Sequence, residues 1–132
     1  MGWPYPFRQR PWDAIDAEFA AFADEHAEFH HMSAIVKSVR SVGAEDALAA
    51  FTSMYDLMVV AQPIPELPYD LVAVRAPSSM PSPSQGRVLI EHLSVTGHDD
   101  RIERPVDDAV PLFWRFMIEK FGVDPTHIAS TH

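Results

Sequence analysis

The sequence predicts an α+β fold: an N-terminal antiparallel helical hairpin, a small antiparallel sheet of about three strands, and a C-terminal apolar helix packed on that sheet. Three observations predict it. Apolar residues recur at three- and four-residue spacing from Ile15 to Val36 and again from Ala44 to Met58. Short strand-like runs bounded by Gly, Pro and Asp follow between Leu71 and Arg104. The stretch from Leu112 to Phe121 is then apolar nearly all round a helical circumference. The 132-residue length fits one domain, 1–132, with residues 1–12 as an arm and 123–132 as a loose tail.

The arm, "MGWPYPFRQRPW", is proline-punctuated and extended, and carries Trp3, Tyr5, Phe7 and Trp12. Those aromatics are expected to pack on the chain's own core, with a grip on a second subunit as the alternative. A first helix should start near Asp13 and stop at Gly43. Its stripe is Ile15, Phe19, Phe22, His26, Phe29, Ser33 and Val36, with a kink or a second helix start near "HHMS" as the alternative to one unbroken rod. A second helix is read from about Ala44 to Ala61, through Ala44, Ala47, Leu48, Phe51, Met54, Tyr55 and Met58. The short turn between the two helices makes them antiparallel. "QPIPELPYD" is a connection, and "LVAVRA" a short strand. Pro77 to Gly86 is a polar loop, in which an anion site is the weaker reading because the spaced glycines of a phosphate loop are missing. "RVLIEHLSV" is the best strand, and "TGHDD" turns it into a third around Arg101 to Arg104. The last helix runs from about Asp107 to Gly122. Leu93 and Phe116 are expected core residues.

Composition narrows the function. The formal charge of −9, with ten basic residues against nineteen acidic ones, argues against a nucleic-acid binder, which neutralises phosphates with clustered Lys and Arg. The absence of cysteine excludes a disulfide framework, thiolate-bound zinc and a cysteine nucleophile. No apolar run approaches the roughly 20 residues of a membrane span, and the N-terminus lacks the form of a signal peptide. A cytoplasmic protein that does not engage membranes is the expectation.

Three histidines crowd into "DEHAEFHHM". On an unbroken helix His26 falls within the apolar stripe, His30 at its edge and His31 on the solvated side. His26 and His30 are neighbours four residues apart, and His92 lies on the strand face of Val88 and Ile90. If the helix packs over that face, His26, His30 and His92 form a candidate three-histidine site for zinc or iron. The competing reading is that these are interior histidines bonded to carbonyls or carboxylates. "HAEFH" does not match the H-E-x-x-H of zinc proteases, and no serine lies in G-x-S-x-G.

Three functions follow. The first is association, as a homodimer or with a protein partner, because one small sheet face does not cover every apolar side of the last helix. The second is metal binding or metal-dependent catalysis at the histidines. The third is binding of a small apolar ligand in a pocket of Phe19, Phe22, Phe29, Trp114 and Met117.

Overall fold

A computed structural model describes residues 2–79 and 83–126. Helix α1 spans Trp12–Glu25, a 3₁₀ turn Ala27–Phe29, and α2 His30–Ser41. Five strands follow: β1 Leu48–Ser53, β2 Asp56–Ala61, β3 Leu71–Arg75, β4 Arg87–Leu93 and β5 Asp100–Pro105. After a 3₁₀ turn, Val106–Asp108, helix α3 covers Ala109–Phe116 and widens into a π turn over Met117–Phe121. The sheet is an antiparallel meander in the order β1-β2-β3-β4-β5. The fold is therefore α+β with three helices, as the apolar patterns require, but the detail differs in three places.

First, the predicted long helix is broken at His26, whose backbone is extended (φ −135°, ψ 100°). An unbroken rod from Trp12 to Ser41 would be about 45 Å long, more than the width of a domain this size. Folding back lets both halves lie on one sheet. The antiparallel pair thus arises inside the first predicted helix, not between the first and second. Asp16 on α1 consequently receives Lys37 (2.9 Å) and Arg40 (2.7 Å) from α2. Burial pushes its carboxyl up, but those two cations more than offset this and hold it below its ordinary value.

Second, the predicted second helix is the β1–β2 hairpin, so the sheet has five strands, not three. Leu48, Ala50, Leu57 and Val59 face the helices, while Ala49, Met58 and Val60 face the other way. Both sets are buried, so the strands show no apolar–polar alternation and their spacing mimics a helical stripe. The turn is unusual too. Ser53 pairs with Asp56 across Met54 (φ 49°) and Tyr55 (φ 74°), the positive-φ geometry of a tight hairpin turn built without Gly or Asn.

Third, most of the apolar cover of the last helix is enclosed within the chain, and Ile118 in the π turn is the large apolar side chain left exposed there. Leu112, Phe113, Trp114, Phe116 and Met117 are all buried in the main core with Ile15, Phe19, Ile35 and Val36. Helix α1 lies over β1 and α3 over β4 and β5, with α2 packed between them. Trp114 Nε1 donates to Ser38 Oγ on α2 at 3.0 Å. Gly43 and Gly122, both at positive φ, end α2 and the π turn where the sequence places the stops.

The opposite sheet face is covered in part by the N-terminal arm. Trp3 pairs with Tyr69 and Arg10 with Ala50, so the arm crosses from the start of β3 to the outer edge of β1. Phe7 meets Phe51 edge-on at 4.9 Å and Tyr69 at 6.1 Å. Trp12 belongs to α1, and its Nε1 donates to the Leu48 carbonyl at 2.9 Å. Phe116 lies in the core, whereas Leu93 is half-buried on the arm-covered face. Residues 80–82 of the Pro77–Gly86 loop and 127–132 of the tail lie outside the described residues.

Candidate functional site

The break at His26 decides where the histidines go. Leaving helical geometry for one residue resets the phase of everything after it. His26 is exposed, with Nδ1 3.7 Å from Glu28 Oε1. His30 is also exposed, and its Nε2 lies 3.0 Å from the Ala23 carbonyl of α1. His31, expected on the solvated side, is 8% exposed. His92 does share the helix-covered face with Val88 and Ile90, and is 7% exposed. Its Nε2 stands 3.4 Å from Asp70 Oδ2, and neither ring nitrogen makes a hydrogen bond. The rings of His26, His30 and His92 thus have three separate neighbours. Among the described residues there is no group of three or more His, Asp or Glu that could hold a metal ion.

The predicted aromatic pocket is brought together in part. Phe19, Phe22 and Phe29 form one cluster, with centroids 5.6–6.5 Å apart. Phe19, Trp114 and Met117 are filler of the core, not walls of a cavity. Phe22 and Phe29 do line a cavity of about 280 Å³, with Glu25, His26, Glu28, Tyr55 and Ser78. Tyr55 is the member that sequence reasoning missed, because it was assigned to a helix. Its ring meets Phe22 edge-on at 4.8 Å and lies 6.2 Å from Phe29. The positive φ at Met54 and Tyr55 costs on the order of 1–2 kcal/mol per residue. Neighbouring Met54 is 88% exposed, so Tyr55's aromatic contacts are what the turn gains in return.

A second cavity, of about 400 Å³, lies on the other side of the same corner. Ala27, Glu28, His30 and His31 form one wall. Pro77, the segment Pro83–Arg87 and Val106 form the other. Glu103 fixes the second wall: it accepts from the Ser84 amide at 2.9 Å and from Arg87 Nε at 3.2 Å. His31 carries the chemistry. Burial pushes its pKa from 6.5 down to about 4, opposed only by a hydrogen bond to the Glu28 backbone. The ring is therefore neutral at pH 7. Its Nε2 is buried without a hydrogen-bond partner, so the Glu28 bond falls to Nδ1 and Nε2 is left as a bare acceptor. No sequence signal marks this role, since it depends wholly on the phase of α2.

On the outer sheet face, Asp56, Arg75, Glu91 and Arg101 form a polar network. Arg75 donates to Asp56 Oδ2 (2.9 Å) and Glu91 Oε2 (2.8 Å), and Arg101 to Glu91 Oε1 (2.7 Å). Asp56 also receives the Ala76 amide and the Ser79 hydroxyl. Burial pushes the Glu91 carboxyl up, but the two guanidinium groups more than offset this and hold it below its ordinary value. Every carboxylate oxygen here is used, which makes the network a clamp between strands.

Comparison with family models, curated proteins and solved structures finds no match to this chain. No helix among the described residues is long and apolar enough to cross a membrane.

Proposed function

We propose that this protein is a binding module for a small, largely apolar molecule that presents a hydrogen-bond donor, held in the 400 Å³ cavity beside His31. The observation that carries this reading is the bare Nε2 of a buried, neutral imidazole. Buried polar atoms are nearly always paired; this one is enclosed behind the wall of a cavity of ligand size, so a ligand's donor would reach it with a turn of the His31 ring. The walls supply Ala27, Pro77, Pro83 and Val106 for apolar contact. Arg87 is already engaged by Glu103, which disfavours an anionic ligand. A base with a pKa near 4 is a poor proton acceptor at neutral pH, so binding is favoured over general-base catalysis.

The test is a screen of small phenols, indoles and amides by chemical-shift changes in isotopically labelled protein. Binders should move His31, Gln85 and Arg87 together, and His31→Leu should abolish the effect in a folded protein. Shifts confined to other surfaces, or unchanged binding in the variant, would overturn the reading.

Self-association is the second reading. Its support comes from the exposed Ile64 and Leu67 in the proline-rich connection, from Val95, and from Ile118 at the end of the last helix, whose other large apolar residues are mostly enclosed. A monomer mass by light scattering at tens of micromolar would remove it.

A further inference from the structure

The geometry points to a second binding site, which meets the His31 cavity at Glu28: the 280 Å³ cavity lined by Phe22, Phe29 and Tyr55 receives an alkylated ammonium group. Its walls and its rim ask for different things. The three rings are mutually packed, with centroids 4.8–6.2 Å apart, so the wall is rigid and apolar. Glu25 and Glu28, both exposed, also line the cavity. A neutral apolar ligand would satisfy the rings but leave the negative charge of the glutamates unanswered. An anion would meet them head-on. A hard metal ion would need more oxygen ligands than two carboxylates supply. An ammonium centre carrying methyl or alkyl groups suits both: its apolar substituents pack against the aromatic wall, whose π systems attract positive charge, and its charge answers that of the glutamates. The −9 net charge of the chain raises the local concentration of any cation. His26, also in the lining, engages Glu28 only at 3.7 Å, so that carboxylate is not firmly held by it. The hairpin turn supplies the final element, since the positive φ of Tyr55 is what sets its ring against Phe22.

The test uses the full labelled chain, titrated with choline chloride at constant ionic strength, and with 3,3-dimethyl-1-butanol as the uncharged counterpart of the same shape. Choline should give saturable shifts at Phe22, Phe29 and Tyr55, and the neutral alcohol should bind about fivefold to thirtyfold more weakly. Phe22→Leu keeps an apolar wall but removes a π face, and should weaken choline binding by a similar factor. If that variant does not fold, Tyr55→Leu serves the same purpose. Glu25→Gln combined with Glu28→Gln should weaken binding and flatten its dependence on salt. A peptide carrying trimethyllysine, run in parallel, separates a free cation from one borne on a partner; saturation by either supports the assignment. Equal binding of the neutral alcohol, indifference to both ring variants, or no saturation with either cation would overturn the proposal.

Discussion

Acidification should destabilise this protein through His31 well before most carboxylates titrate. The imidazole has a pKa of about 4 in the folded chain against 6.5 for an ordinary histidine. Between those values the unfolded chain binds a proton that the folded chain refuses, so stability is complete above about pH 6.5 and falls as pH drops toward 4. That depression corresponds to a total of about 3 kcal/mol, of which about 2 kcal/mol should be lost between pH 7 and pH 5. That is a substantial part of the 5–15 kcal/mol typical of a domain. Urea denaturation at the two pH values measures it. His31→Leu removes the titrating group, so its midpoint should move far less over the same interval. Asp16 and Glu91, whose carboxyls are held low, contribute equally to each protein and cancel. An identical pH dependence in the His31→Leu variant, or a His31 resonance titrating near 6.5, would refute the burial argument.

Three further outcomes are expected. Met54→Gly replaces an exposed residue at φ 49°, and should raise stability by about 1 kcal/mol in urea denaturation; a loss would mean the methionine makes contacts that the structure does not contain. Glu91→Gln uncouples Arg75 and Arg101 and should cost about 3 kcal/mol at pH 7. Because the Glu91 pKa is depressed in the folded state, its contribution is present above the unfolded value of 4.5 and lost below it, so the variant's penalty should shrink in acid. Phe116→Ala should cost about 4 kcal/mol by thermal or urea unfolding, and Leu93→Ala less than half as much, since Phe116 is enclosed and Leu93 is half-buried; equal costs would reverse the assignment of the two sheet faces.

The sequence by itself determined the α+β class, the strands β3 to β5, the burial of the last helix and the two glycine stops. Each of these rests on short-range information: short β-branched runs set between turn residues, apolar cover round a helix, and the freedom of glycine at positive φ. It also carried the packing of the arm, because aromatics in a terminal segment must be covered by something. Tertiary structure decided the rest. No Pro or Gly marks the break at His26, so the phase that exposes His26 and buries His31 comes from the need to fold two helical lengths onto one sheet. The β1–β2 hairpin was illegible because helices cover one of its faces and the arm the other, which erases the polar alternation that would have revealed strands. Its turn carries Met54 and Tyr55 where a hairpin signal would have placed Asn and Gly. The candidate sites sit at these two features, and both depend on contacts between segments far apart in the chain, which no local pattern encodes.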